Sequence, residues 1–249
     1  MDIQQLAKYL DDLLDLSSIK DAPNAVNGLQ VERQGPVKKI GLAVDACLAT
    51  LNMAKARECD MLFVHHGLLW GGNQPIRGKH FEKIALLIQS NIGLYSAHLP
   101  LDMHPVLGNN RALADLIGLQ NIEPFGEYSG IKIGLKGEIE SRSSLQLARE
   151  LEEKLNTSVK CARQGEVKTV GIVSGGAGDI LNQAIAENLD CYITGEGGNH
   201  NFHEAEEGNC SLLFAGHYAT ETGGVRAVGK HLKEKFNLQI EFLHYPTGL

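Results

Sequence analysis

Two adjacent histidines, His65 and His66, are the first candidates for chemistry in this chain. They follow the apolar run Met61–Val64, which predicts a buried strand, and Gly67 comes directly after them. The pair therefore lies at the carboxyl end of a strand, which is where open α/β sheets bind ligands. Adjacent strand residues point to opposite faces, so both histidines serve one site only if the backbone turns, as Gly67 permits. Taken alone, the two histidines are either metal ligands or residues that cap an element and form hydrogen bonds.

Two acidic residues strengthen the metal interpretation. Asp102 lies four residues after His98, and Glu221 lies four residues after His217, in each case just past an apolar run. Imidazole nitrogens and carboxylate oxygens suit Zn, Mn, Fe or Co better than Ca or Mg. Five such residues exceed what one ion needs, and a carboxylate can bridge two ions. We therefore expect two divalent metal ions per chain, with the ligands His65, His66, Asp102, His217 and Glu221.

The elements that position these residues alternate between strand and helix. Short apolar runs predict buried strands at Ile40–Val44, Met61–Val64, Gly93–Ser96, Val170–Ser174, Cys191–Thr194 and Ser211–Ala215. Segments with helical periodicity predict helices at Leu48–Glu58, Lys79–Ser90, Asn109–Ile117, Ser143–Leu155, Asp179–Asn188 and Thr220–Phe236. The alternation predicts an α/β fold whose strands are buried on both faces.

An internal repeat connects the two halves of the chain. Residues 37–67 align without a gap on residues 167–197, and nine of the 31 positions are identical, where chance gives roughly two. Residues 95–102 resemble residues 214–221, which pairs His98 with His217 and Asp102 with Glu221. The alternative explanation is that all strand–helix–strand units look alike.

The repeat predicts two similar α/β domains related by an approximate twofold, with the metal site between them. We place the first domain at residues 1–126 and the second at residues 127–249, and we allow the last helix and strand to pack back on the first. The boundary is set at Glu123–Gly130, a stretch that is rich in glycine, serine and charge.

Three further residues are candidates for supporting roles. His98 is the repeat counterpart of His217, and it either binds metal or supports a ligand. Glu196 matches His66 in the repeat and can orient a ligand or act as a base. Trp70 can stack on a planar substrate or pack its loop onto the core.

The helix that follows Glu221 begins with Thr-Gly-Gly. The two glycines leave space beside the site for a phosphate or another anion.

Composition restricts the class of protein. The 249 residues carry a formal charge of -7 with no basic stripe, which argues against nucleic acid as a partner. No apolar stretch approaches the length of a membrane span, and the acidic, amphipathic start lacks the features of a signal peptide. The five cysteines form no C-x-x-C pair, as expected for free thiols in a reducing compartment. We therefore expect a cytoplasmic protein with no membrane partner.

The chain resembles the NIF-three-like dinuclear metal-centre family, whose members are also named GTP cyclohydrolase I type 2 homologues. The motifs that carry the resemblance extend in order over most of the chain: NGLQV (27–31), HHGLLW (65–70), LYSAHLPLD (94–102), LGNN (107–110), ITGE (193–196) and GHYATETGG (216–224). The resemblance implies two related α/β domains and a toroidal homohexamer with metal centres facing an internal cavity. It also implies the five metal ligands named above, with Glu221 as the bridging carboxylate.

Two functions stay open. The family name implies that water opens the imidazole ring of the guanine in GTP, with loss of formate. The first function is therefore a metal-dependent hydrolase that acts on a small, nucleotide-like molecule, although the same kind of centre suits other hydrolytic reactions. The second is a non-catalytic ring scaffold that binds metal or delivers it to partners.

Overall fold

The computed structural model describes residues 1–72 and 74–249. These residues form two compact α/β units. The first unit comprises Met1–His104 and Val225–Tyr245, and the second comprises Pro105–Gly224 and Pro246–Leu249. Each unit has its own sheet and its own apolar core, which confirms the predicted fold class. Among the described residues, no helix has the length and apolar character that crossing a membrane requires.

The first unit is built around a five-stranded sheet. Its strands are β1 (Gly28–Val31), β2 (Lys39–Asp45), β3 (Met61–His66), β4 (Gly93–Ser96) and β11 (Gln239–Phe242). The order across the sheet is β1-β4-β3-β2-β11, and only the edge strand β1 is antiparallel to its neighbour. The helices that begin in this unit are α1 (Ile3–Leu13), α2 (Leu48–Ala56), α3 (Gly78–Gln89) and α4 (Leu99–Met103).

The second unit is built around a six-stranded sheet. Its strands are β5 (Gln120–Tyr128), β6 (Ile131–Ser143), β7 (Lys160–Ala162), β8 (Glu166–Val173), β9 (Cys191–Thr194) and β10 (Ser211–Phe214), in the order β5-β6-β8-β9-β10-β7. The helices that begin here are α5 (Asn109–Ile117), α6 (Ser144–Leu155), α7 (Leu181–Ala186), α8 (His200–Glu207), α9 (His217–Thr220) and α10 (Thr222–Phe236). The strands β8, β9 and β10 are parallel, as are β2, β3 and β4.

The repeat found in the sequence is a structural repeat. Ile40 pairs with Met61 in the first sheet, and Val170 pairs with Cys191 in the second, so both pairs keep the offset of 130. The residues that α2 occupies, 48–56, correspond to a short 3₁₀ turn followed by α7, which together cover 178–186. In both units an antiparallel edge strand precedes the three parallel strands in sequence and pairs with the third.

In the third parallel strand of each unit, the alignment of the two repeats differs by one residue from the alignment predicted from the sequence. Ala97 N–H donates to Val64 O, and Ala215 N–H donates to Thr194 O, so Ala97 corresponds to Ala215. The sequence comparison pairs Ala97 with Gly216, which instead is an additional residue in the second unit. Gly216 has a φ of +84°, a conformation that glycine adopts without strain, and His217 follows it.

The compact units divide at 104/105, whereas the sequence-based boundary lies between residues 126 and 127. The stretch Glu123–Gly130 is not a linker, because it forms the end of β5 and the turn into β6, where Tyr128 pairs with Ile131. Its glycines, which were one reason to place the boundary here, have positive φ angles within this hairpin.

The last helix and strand join the first unit, as the sequence analysis allowed. The strand β11 pairs with β2 through Ile240 and Ile40. From Val225 onward, α10 belongs to the first unit, and a Cβ on Gly229 would collide with Leu42 Cδ1. The helix α5, which follows the first repeat, has its buried residues in the second core instead. The helix α5, which follows the first repeat, therefore belongs to the second unit, and most of α10, which follows the second repeat, belongs to the first unit.

Asp190 stabilises the start of the second repeat in the same way that Asp60 stabilises the first. Asp60 Oδ2 accepts from the backbone N–H groups of Lys38 and Lys39, and Asp190 Oδ2 accepts from those of Lys168 and Thr169. Burial raises the pKa of the Asp190 carboxyl, but these hydrogen bonds outweigh burial and hold it below the ordinary value of 3.8.

We expect Asp190→Ala to lower the free energy of unfolding by about 1–3 kcal/mol at pH 7, because several hydrogen bonds to a carboxylate are lost. Since the folded-state pKa of Asp190 is depressed, its stabilisation is present above pH about 4 and disappears as the pH falls through the folded pKa. Urea unfolding at pH 7 and pH 3 measures both effects. The control is Asp179→Ala, whose side chain is 91% exposed. The same loss for Asp190→Ala at both pH values would contradict this role.

Candidate metal centre

The two histidines at the end of β3 are oriented by neighbouring strands. His65 is fully buried, and its Nδ1 lies 2.9 Å from Ala97 O, just beyond the end of β4. His66 Nδ1 lies 2.9 Å from Oδ1 of Asp45, the last residue of β2. Parallel pairing places Asp45 directly opposite His66, so the sheet register itself creates this contact.

His98 and Asp102 follow the next strand and complete a cluster in the first unit. His98 precedes α4, and its Nδ1 lies 2.7 Å from Asp21 Oδ1. One ring nitrogen from each of His65, His66 and His98 lies within 4.8 Å of the other two, so this group can hold a metal ion. Asp102 is buried in α4, with Oδ2 3.5 Å from His65 Nε2. His98 is thus a member of the cluster itself.

The second unit holds His217 at the start of the single-turn helix α9 and Glu221 directly after its end. His217 Nε2 lies 3.2 Å from Glu221 Oε1, and His217 Nδ1 lies 2.9 Å from Glu196 Oε1. Glu221 is only 3% exposed. The hydrogen bond to Glu221 raises the pKa of His217 to about 9, against the opposing effect of burial, and Glu196 adds to the rise. A metal ion that bound here would therefore replace a proton.

The four histidines share one orientation that suits metal binding. In each of them Nδ1 faces an oxygen acceptor: a carbonyl for His65, and a carboxylate for His66, His98 and His217. Carbonyl and carboxylate oxygens accept hydrogen bonds, so Nδ1 carries the proton when the ring is neutral, and Nε2 then has a lone pair for a metal ion. In His217, whose pKa is raised, Nε2 must first lose the proton that Glu221 accepts. Histidines that bind metal are held by this kind of contact. The donor set fits a transition-metal ion.

The five predicted ligands fall into two sets, one in each unit. His65, His66 and Asp102 belong to the first unit, and His217 and Glu221 belong to the second. Glu196, which corresponds to His66 in the repeat, contacts His217 in the manner expected of an orienting residue.

Sequence reasoning missed several residues that position the cluster. Asn27 Oδ1 accepts from the backbone N–H of His98, and Asn27 Nδ2 donates to Asp21 Oδ2. Gln30 Oε1 accepts from the N–H groups of Leu68 and Leu69, just after the histidine pair. The motif NGLQV contains both the asparagine and the glutamine, so a signal for them was present.

Asp21 and Asp45 were missed for different reasons. Asp45 directly follows one predicted strand and His66 lies just beyond the next, so the parallel register could have identified this contact. Asp21 lies in an irregular segment 77 residues from His98, and no spacing rule connects the two. Burial raises the pKa of Asp21, but the hydrogen bond and the charge of His98, with further hydrogen bonds, hold it below its ordinary value.

The glycines after Glu221 have a packing role. A Cβ on Gly223 would collide with the Cβ of Ala112 in α5, and the N–H of Gly224 donates to Asn109 Oδ1. These contacts give a packing reason for the small residues at the start of α10. This reason does not depend on the anion considered above.

Gly175→Ala should weaken metal binding. Gly175 has a φ of +70°, and a Cβ there would collide with Glu221 Oε1, so alanine must displace this carboxylate. We expect the Kd for Zn²⁺ to rise about 10–100-fold, as for other residues that support ligands, and titration calorimetry measures it. The control is Gly130→Ala, at a φ of +86° with no atom within 4 Å among the described residues. Equal Kd values in the two variants would overturn the argument.

Known proteins are similar to this chain in fold and in sequence. The family model described as Duf34/NIF3 (NGG1p interacting factor 3) matches residues 1–247. The GTP cyclohydrolase 1 type 2 homolog of Pyrococcus abyssi (strain GE5 / Orsay) is 44% identical over 253 aligned residues, which cover 100% of both chains. Two solved structures also match over 100% of both chains: TTHA1606 from Thermus thermophilus (TM-score 0.90, 40% identity) and protein ybgI, described as of unknown function (TM-score 0.93, 34% identity). The chain therefore belongs to the Duf34/NIF3 family.

Proposed function

We propose that this protein is a metal-dependent hydrolase of a small, nucleotide-like molecule. In this proposal the ligands of the two units, His65, His66, Asp102, His217 and Glu221, share a pair of divalent transition-metal ions. The observation that carries the proposal is the common orientation of the histidines, whose Nδ1 atoms all face oxygen acceptors.

The charge of the donor set supports a pair of ions. Asp102 and Glu221 are both buried carboxylates, and burying a carboxylate is costly unless a cation compensates it. Neutral imidazoles supply the remaining ligands without adding charge. Glu221 is our candidate for the bridging ligand, because it lies at the end of the helical turn that carries His217 and contacts that histidine.

The chain's own residues position and shield the ligands. Bound divalent ions would supply Lewis acidity and make water nucleophilic at neutral pH. Asp45, Glu196 and the carbonyl of Ala97 fix the tautomer and the ring plane of their histidines. Asp21 holds His98 in the same way, and its buried carboxylate receives three further hydrogen bonds, from Ala22, Asn27 and Leu99. These contacts keep the ligands preorganised before any substrate arrives.

The nature of the substrate is inferred from the relatives. The name of the Pyrococcus abyssi protein, GTP cyclohydrolase 1 type 2 homolog, refers to a purine nucleotide. We extend that class to this chain, with a bond of the heteroaromatic ring as the one that water attacks. The toroidal homohexamer stays a prediction.

A turnover screen tests the proposal. Protein loaded separately with Zn²⁺, Mn²⁺ and Fe²⁺ is incubated with a library of nucleotides and related metabolites, and products are followed by mass spectrometry. We expect a mass gain of water, or loss of formate, for one group of nucleotide-like compounds with at least one metal. No turnover with any metal, combined with rapid exchange of the bound ions, would instead support the metal-delivery scaffold.

A further inference from the structure

Trp70 is a large aromatic residue at the edge of the histidine cluster. It is the only tryptophan of the chain, and its side chain is 39% exposed. A partly exposed indole is ordinary on a protein surface, so exposure alone means little. Its position beside two candidate metal ligands is more informative. The indole centroid lies 4.7 Å from that of His98 and 5.9 Å from that of His66.

The indole plane stands upright against both imidazoles. The interplanar angles are 85° with His98 and 86° with His66. A planar ring that stacked on the indole would therefore be nearly perpendicular to both imidazoles. Within residues 1–72 and 74–249, the structure gives the indole N–H no hydrogen-bond acceptor. The side chain thus has both a π-face and a donor to offer a ligand.

The backbone around Trp70 is held on both sides. Trp70 forms an antiparallel bridge with Ala25, and the N–H of Gly71 donates to Asn24 O at 3.1 Å. Gln74 Nε2 donates to Trp70 O at 2.8 Å. Gln30 secures the preceding residues, as described above. Because the backbone at Trp70 and Gly71 is held in this way, little conformational freedom is lost when a ligand packs against the indole.

We propose that Trp70 is the stacking platform for the planar nitrogen heterocycle of the substrate, and thus determines specificity for purine-like bases over simple sugar phosphates. The proposal rests on the proposed function for the class of substrate. Loss of a base-stacking aromatic residue weakens nucleotide binding by about 10–100-fold. Trp70→Phe, which keeps a smaller π-face, should lose less than Trp70→Ala.

Binding experiments on the zinc-loaded protein test this role without an activity assay. The probes are guanosine 5′-monophosphate and ribose 5-phosphate. Because the chain has one tryptophan, its emission reports on this position alone. We expect guanosine 5′-monophosphate to quench the emission saturably, and ribose 5-phosphate to leave it unchanged. Calorimetry should then show a Kd for guanosine 5′-monophosphate that is about 10–100-fold higher in Trp70→Ala.

The control is Phe81→Ala, which removes another exposed aromatic residue of the first unit (55% exposed) and should leave the Kd unchanged. Zinc content is measured for every variant, so that lost metal is not mistaken for lost stacking. Equal Kd values for Trp70→Ala and the unaltered protein, or no binding of guanosine 5′-monophosphate, would overturn the stacking role. Tryptophan-dependent binding without turnover of any nucleotide would support stacking and count only against the hydrolase.

Discussion

Replacing Glu221 with glutamine should leave the chain folded, reduce the bound metal from two ions to one at most, and lower hydrolytic turnover about a hundredfold or more. Glutamine has nearly the same volume, so the change creates no cavity. It removes one of the two buried carboxylates, Asp102 and Glu221, that would offset the charge of two dications in the proposed centre. It also removes the negative charge from the hydrogen-bond partner that raises the pKa of His217.

Elemental analysis after reloading with Zn²⁺ gives the stoichiometry, and circular dichroism confirms the fold. The matched control is Glu207→Gln, at an exposed position at the end of α8, which should keep both ions. If Glu221→Gln binds two ions and turns over substrate like the unaltered protein, both the bridging role and the hydrolase proposal fail.

His65→Ala should produce the second large effect. Structural zinc sites with four ligands bind with roughly 10–16 kcal/mol, or about 3 kcal/mol per ligand, so we expect the Kd for Zn²⁺ to rise about 100–1,000-fold. His65 is fully buried and loses its contact with Ala97 O, so this variant should also unfold at a lower temperature.

His98→Ala provides the comparison for His65→Ala. If His98 supports the ligands from outside, its loss should raise the Kd only about 10–100-fold. Competition with a chelator of known affinity measures both variants on one scale. A His65→Ala variant whose Kd matches that of the unaltered protein would remove His65 from the ligand set. A His98→Ala Kd as high as that of His65→Ala would make His98 a ligand.

The parts of the fold that sequence predicted well are those with local signals. The run Met61–Val64 is apolar throughout because β3 is covered on both faces, and that burial places His65 and His66 at its end. The repeat was visible because the same register and the same helix position recur at an offset of 130. Both features leave a pattern of residue types within a short segment of the chain, and such a pattern can be recognised in the sequence.

Other parts depend on contacts between distant residues. The strand β11 is only four residues long and partly exposed, and its partner β2 lies near the other end of the sequence. The hairpin of β5 and β6 resembles a linker in composition, although Phe125 is fully buried in it. Asp21 reaches His98 only through the tertiary fold. Such contacts have no periodic trace in the sequence.

The exchange of terminal elements between the units has a consequence for protein synthesis. Ile40 in β2 pairs with Ile240 in β11, so one edge of the first sheet lacks its partner until the strand 200 residues further along has left the ribosome. At about 5–20 residues per second, that delay lasts on the order of 10–40 s. An unpaired strand edge invites association with other chains. We therefore expect the nascent chain to depend on chaperones that shield β2 until β11 pairs with it.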